Sequence, residues 1–269
     1  MQSIIILGGD IMKKWLNDLY AILLKQGFDP EGGGSGGGSG GGSGGSSGVL
    51  VGKYLGDTYT DTQKAAISSG TFEGLHIGDY WIINDITWRI ADFDYYYKVG
   101  DTAFTKHHIV IVPDTILYNS QMNPTNTTSG SYSWSAMYTS NLNQARTAFY
   151  NAFGESFIPT HRGLYATNIG SDGVPSASEW RDMRVELMSE VQLFGHSVWK
   201  QNAFDIGSQK TQFRLFSLDQ TKINTGQSYW LTNVESGSNF SRLNGNGGVS
   251  TANASSSNGV RPFACVVGD

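Results

Sequence analysis

Asn239, Asn244, Asn246 and Asn253 stand in a C-terminal stretch made otherwise mostly of Ser and Gly. Apolar runs bound it: Tyr229-Trp230-Leu231 before and Phe263-Ala264-Cys265-Val266-Val267 after. Carboxamides and hydroxyls both donate and accept hydrogen bonds. Together with Asn233, Ser238, Ser241, Arg242, Asn258 and the rings of Tyr229 and Phe240, they make a set suited to ligand recognition, the mixture that antibody paratopes use. Alone, such a stretch carries too little apolar surface to offset chain entropy. Held between two buried strands it reads as a display surface, and the chemistry it offers is binding rather than bond-making.

Other residues capable of chemistry are arranged less favourably. Asp172, Glu179, Asp182, Glu186 and Glu190 include enough carboxylates for a glycosidase pair. Four of them, from Glu179 on, recur three, four and four residues apart, the spacing of one solvated helix face. His107-His108 stand at a strand start, while His76, His161 and His196 are scattered among polar segments, and no pair has the helical i, i+4 spacing of a zinc motif. No Gly-rich phosphate loop follows a strand and no serine sits in a nucleophile elbow. The single cysteine, Cys265, lies in an apolar run and reads as a small buried hydrophobe. The residues therefore predict no catalytic group, metal or cofactor.

Composition agrees. Of 269 residues 15% are charged and 12% aromatic, so Asn, Ser, Thr and Gly supply the surface polarity, as in many secreted and virion proteins. A formal charge of −5 leaves no basic footprint for nucleic acid or anionic membranes.

Three pieces position these residues. In residues 1–31, Ser3-Ile4-Ile5-Ile6-Leu7 is an apolar run. Asp10 then caps an expected helix over 11–26 that ends at Gly27. Met12, Trp15, Leu16, Leu19, Ile22 and Leu23 form one broad apolar face. A lone helix of about sixteen residues is marginal in water, so this piece reads as a docking peg with Ile5, Leu7, Met12, Trp15, Leu16, Leu19 and Leu23 as its contacts. No run is long enough to insert across a bilayer. Residues 32–48 are Gly and Ser alone, a flexible tether spanning about 20–25 Å. Near-perfect GGGS repeats fit a designed linker and equally the natural tethers of phage virion genes.

Residues 49–269 make one domain. Alternation predicts two strands over Tyr80–Ala91 with a tight turn at Asn84-Asp85, and a third at His108–Pro113. Ser135–Phe153 fits a helix with Met137, Leu142, Ala145, Phe149 and Phe153 on one face, ending at Gly154. Ala177–Leu193 is expected as a second helix, capped by Ser176 and Ser178 and presenting Trp180, Met183, Leu187 and Val191. Phe213–Leu218 and Ser228–Asn233 complete the strands. The order predicts an α+β fold with two helices packed on antiparallel sheets.

Gly74-Leu75-His76-Ile77-Gly78-Asp79-Tyr80-Trp81, Ser228-Tyr229-Trp230-Leu231 and Gly259-Val260-Arg261-Pro262 resemble a family of phage and prophage domains with a C-type-lectin-like fold, related to formylglycine-generating enzymes. The resemblance spans essentially all of 49–269. It implies a Trp-Leu strand leading into an Asn/Ser-rich segment that returns through Gly-Val-Arg-Pro, a segment that diversity-generating retroelements randomise in several relatives. The residues agree with it: a buried Arg261 must be satisfied by carboxylate or carbonyl acceptors, which gives it, like Trp230, a structural role, tying the closing strand to the loops. Calcium-binding lectins carry Glu-Pro-Asn and Trp-Asn-Asp; the first is absent here and Trp230-Leu231-Thr232-Asn233 departs from the second. The enzyme relatives need paired cysteines, which Cys265 alone does not provide. The resemblance thus implies a phage virion surface protein, a head fibre or capsid decoration. It would be homotrimeric, docked on a virion structural protein through 1–31, and would bind host-cell or mucosal glycans. A tail receptor-binding protein and a polysaccharide-degrading virion enzyme are the alternatives.

Overall fold

The computed structural model describes residues 52–198 and 211–269. The expected peg, with Ile5, Leu7, Met12, Trp15, Leu16, Leu19 and Leu23, and the tether over 32–48 lie outside the described residues.

In chain order the elements begin with helix α1 (Asp61–Ser68), then strands β1 (Tyr80–Ile83), β2 (Ile86–Phe93), β3 (His108–Pro113) and β4 (Tyr118–Ser120). A short 3-10 turn (Tyr132–Trp134) and a π turn (Met137–Asn141) lead into α2 (Asn143–Phe153). Strands β5 (His161–Ile169), β6 (Pro175–Met183) and β7 (Val185–Leu187) come next, then helices α3 (Glu190–Phe194) and α4 (Arg214–Leu218). The chain closes with β8 (Tyr229–Val234), β9 (Asn239–Leu243), β10 (Val249–Asn253), β11 (Asn258–Val260) and β12 (Pro262–Val267). This is an α+β arrangement: one five-stranded sheet ordered β1-β2-β3-β12-β7, a second ordered β10-β9-β8-β11-β4, and a separate β5-β6 hairpin. All pairings are antiparallel except β8 with β11.

The first sheet follows the alternation of its sequence. Asn84 and Asp85 take φ of 53° and 61°, the left-handed pair that a two-residue hairpin turn needs. β3 and β12 are buried along their whole length at the sheet centre. Helix α2 lays Phe149 and Phe153 on Trp88, with ring centroids 4.6 and 5.8 Å apart, and Tyr59 and Trp81 complete an edge-to-face aromatic cluster. Losing one such buried ring to alanine costs about 3–5 kcal/mol. The predicted core face of this helix is buried throughout, at Met137, Leu142, Ala145, Phe149 and Phe153. Its first turn, however, is the π turn over Met137–Asn141, and Ser135, with Oγ donating to Tyr132 O, stands between it and the preceding 3-10 turn.

Two expected elements are corrected. Ala177–Leu193 is not a helix. Residues 175–183 pair along β5 from His161↔Met183 to Ile169↔Pro175, 185–187 pair with β12, and only Glu190 onward is helical. The caps Ser176 and Ser178 lie within β6, and the working cap is Ser189, whose box with Gln192 is complete. Trp180, Met183 and Leu187 happen to fit helical spacing, but Met183, Val185 and Leu187 also alternate at two, and β5 supplies the strand partner. Phe213–Leu218 is likewise a helix rather than a strand. Asp92 on β2 accepts both the Arg214 backbone N–H (3.0 Å) and its Nε (2.5 Å), so a distant carboxylate caps this turn.

Candidate functional site

Much of the Asn/Ser/Gly stretch is strand, over 239–243, 249–253 and 258–260, with turns between. β8 and β9 pair at Tyr229↔Leu243 and Trp230↔Arg242, and β9 and β10 pair from Leu243↔Val249 to Asn239↔Asn253. Residues 254–257 then carry the chain past β9 and β8 to β11, where Gly259 lies beside Tyr229 and Asn258 opposite Ser120. Side chains alternate across a sheet, which sorts the stretch into two faces.

One face carries Tyr229, Leu231, Leu243 and Ser241 into the core. Tyr229 is fully buried, its hydroxyl donating to Ile223 O, and burial pushes its phenol above the ordinary value, with Arg261 opposing. Ser241 Oγ donates to Glu190 Oε1 at 2.5 Å, and Asn233 Oδ1 accepts the Glu190 N–H at 2.8 Å. The opposite face divides along its length. Trp230, Phe240 and Val260 are buried, with Trp230 Nε1 donating to Ser120 O. Toward the start of β8 the same face becomes a polar row, Asn244, Ser228, Asn258 and Ser120 in neighbouring strands, with Arg242 and Ser250 one step along. Ser120, Ser228, Arg242, Asn244 and Ser250 are half-buried there, and Asn246 is exposed in the turn after β9.

Of the predicted ligand contacts, Tyr229, Asn233, Phe240, Ser241 and Asn258 are therefore corrected: each is buried, Asn258 with its Oδ1 accepting from Arg242 Nη1. Arg242, Asn244, Asn246 and Asn258 come together at the polar row. Ser238 and Asn239 sit at the other end of β9, opposite exposed Asn253, where Asn239 Nδ2 donates to Glu235 Oε2 at 3.4 Å. Arg261 is fully buried and donates to three oxygens: Pro113 O at 2.9 Å, Ile223 O at 3.1 Å and Tyr229 Oη at 3.3 Å. Its acceptors are carbonyls and a phenol, with Phe216 and Tyr229 rings beside the guanidinium.

Ser120, Ser228 and Ser250 carry no signal in the sequence that marks them for the site, and neither does Asn126 beyond the polar run around it. Asn126 Oδ1 accepts from both the N–H (3.1 Å) and Oγ (2.6 Å) of Ser255, holding a loop more than a hundred residues away against the 254–257 crossover. Strand pairing, not local sequence, creates this neighbourhood.

The carboxylates expected on a solvated helix face are mostly elsewhere. Glu186 and Glu190 are buried, while Glu179 and Asp182 lie exposed on β6. Glu186 accepts from His161 Nε2 at 2.9 Å and from the Tyr165 hydroxyl, with Tyr96 Oη 3.5 Å away. Burial, with the Glu186 charge adding, pushes the Tyr96, Tyr132 and Tyr165 phenols well above their ordinary value. This acid–base pair is sealed: His161 and Glu186 are 2% and 1% exposed. Among the described residues no group of three His, Cys, Asp or Glu is placed to hold a metal ion, and no helix is long and apolar enough to cross a membrane. Cys265 is buried, and burial raises its thiol well above the ordinary value. No family model, curated protein or solved structure matches this chain.

Proposed function

We propose that this chain is a phage virion surface protein, a head fibre or capsid decoration. In this reading residues 49–269 are a C-type-lectin-like domain that displays the β9–β10 hairpin and its polar row to host-cell or mucosal glycans. Residues 1–31 dock it on a virion structural protein, and the 32–48 tether gives it reach. The single observation that supports the reading is that the Asn/Ser/Gly stretch is held on the hydrogen-bonded β9–β10 hairpin, backed by buried Tyr229, Leu231 and Leu243. A pre-ordered polar surface loses little entropy on binding, and varied side chains on a fixed backbone permit altered recognition without a new fold. Copies in a homotrimer would add avidity to a weak contact.

A glycan array and adhesion to bacterial cells test this reading. The whole chain should bind a defined subset of glycans or cells, and replacing Asn239, Arg242, Asn244 and Asn246 together with Ala should remove that binding with little change in melting temperature. Unchanged binding by the fourfold variant would place recognition elsewhere on the protein.

A further inference from the structure

Three Asn-Gly steps stand in the Asn/Ser/Gly stretch, at Asn244-Gly245, Asn246-Gly247 and Asn258-Gly259, and the chain holds no others. Such a step is chemically labile, because a glycine nitrogen, with no Cβ beside it, can attack the asparagine side-chain carbonyl. An N–H held by an acceptor must first give up that bond, and the side chain must be free to turn. The fold treats the three steps differently. Gly259 N–H donates to Ser228 O at 3.0 Å, and Asn258 is 5% exposed with Oδ1 taken by Arg242 Nη1. Gly247 N–H donates to Asn244 O at 3.0 Å, and Asn246 Oδ1 accepts the Gly248 N–H at 3.2 Å. Gly245 N–H has no hydrogen-bond partner among the described residues, and neither has the half-buried Asn244 side chain. The more exposed asparagine, Asn246, is thus the better tied of the two in the turn.

The glycine of the free step is one the hairpin needs. A Cβ on Gly245 would lie 2.9 Å from Gly226 O, so the turn after β9 passes residues 226 and 227 only with glycine there. We propose that Asn244 is a self-modifying site, the residue at which the folded chain first loses a side-chain amide. Gly245 N attacks Asn244 Cγ and bonds to it, the Cγ–Nδ2 bond breaks, and the Gly245 proton leaves with the amide nitrogen as ammonia. Water then opens the cyclic imide. Addition at Cγ gives aspartate on an unchanged chain; addition at the main-chain carbonyl gives isoaspartate, with the chain running through Cγ. Neither step is a redox change. Either product puts a carboxylate two residues from Arg242, which forms no ion pair among the described residues. Isoaspartate also adds a methylene to the main chain where Asn244 N–H donates to Gly248 O at 2.7 Å and Asn244 O accepts from Gly247. The tip of the β9–β10 hairpin therefore changes charge and shape as the protein ages, whether or not that face binds a glycan.

The test incubates the whole chain at mildly alkaline pH, which favours the deprotonated glycine nitrogen, once folded and once unfolded in guanidinium chloride. Samples are digested with trypsin in mild acid, and the peptide beginning at Leu243 is sequenced by electron-transfer fragmentation. That reading places each amide-to-acid mass gain on one asparagine and separates aspartate from isoaspartate. In the folded chain acid should accumulate at Asn244 severalfold faster than at Asn246, with Asn258 slowest. In guanidinium chloride, where every glycine N–H is released, the three rates should converge, which attributes the native order to the fold. Asn244→Ser should abolish the early gain, with no matching rise at Asn246. Acid appearing at Asn246 or Asn258 as fast as at Asn244 in the folded chain overturns the assignment. So does a folded Asn244 that stays intact while the unfolded chain converts. Aspartate at position 244 without isoaspartate would mean direct hydrolysis and would overturn the attack by Gly245.

Discussion

At the scale of single residues, His108 shows how burial sets a protonation state. Its imidazole is fully buried; Nε2 accepts the Tyr96 N–H at 3.1 Å, which leaves Nδ1 to donate to Lys106 O at 3.1 Å. A ring that accepts at one nitrogen is neutral. Burial accordingly pushes its pKa down to about 4, with Lys106 O and Asp94 opposing and His161 and His107 adding to the shift. Between the unfolded value of about 6.5 and the folded value the unfolded chain takes a proton that the native chain refuses. Stability therefore falls as pH drops through that window, by on the order of 3 kcal/mol in full. His108→Gln, neutral at every pH, should start less stable at pH 7 through lost packing, yet show a flatter urea midpoint between neutral and mildly acid pH. An unchanged slope would remove His108 as the cause. Arg261 makes a second case: Arg261→Met removes the guanidinium donor from buried Pro113 O, while Ile223 O keeps the Tyr229 hydroxyl, and should cost about 3 kcal/mol in urea unfolding. Its structural role is legible from sequence because a charged residue amid Val260, Pro262 and Phe263 must be satisfied inside. Its acceptors are not, since Pro113 and Ile223 reach it through tertiary packing.

At the scale of elements, short-range signals hold where they are local. The Asn84-Asp85 turn, the strand at His108–Pro113 and the Gly154 stop after α2 are each dictated by residues within a few positions. Asp85 takes its left-handed φ of 61° less readily than glycine would, so Asp85→Gly should stabilise the hairpin by about 0.5 kcal/mol, seen as a small rise in melting temperature. Elements settled by distant partners are the ones that local sequence misassigns. β6 exists because β5 pairs with it, and α4 turns because Asp92 caps it from across the sheet. The candidate site shares this limit: Asn244 and Asn246 are visible as residue types, but only the registers Trp230↔Arg242, Gly259↔Tyr229 and Asn258↔Ser120 bring Arg242, Asn258, Ser228 and Ser120 to one face. The same registers bury Tyr229, Phe240 and Ser241, which composition alone counts as contacts.

At the scale of the whole molecule, the proposal separates a mount in residues 1–31 from a display surface in 49–269. If the peg's apolar face joins three copies, light scattering should give a trimer for the whole chain and a monomer once residues 1–31 are removed; a monomer in both would end the trimer. The display surface has a rival on the same domain, a groove of about 260 Å³ lined by Lys53, Tyr54, Thr62 and Glu73 near α1. The most direct test of the central claim compares two variants in the same glycan-array and cell-adhesion assay. One carries Asn239, Arg242, Asn244 and Asn246 as alanine, the other Lys53, Tyr54, Thr62 and Glu73 as alanine. Loss of binding in the first variant alone, with both melting near the native temperature, is the predicted result. Loss in the groove variant, with the first still binding, would contradict the assignment of the second sheet's polar row as the recognition face.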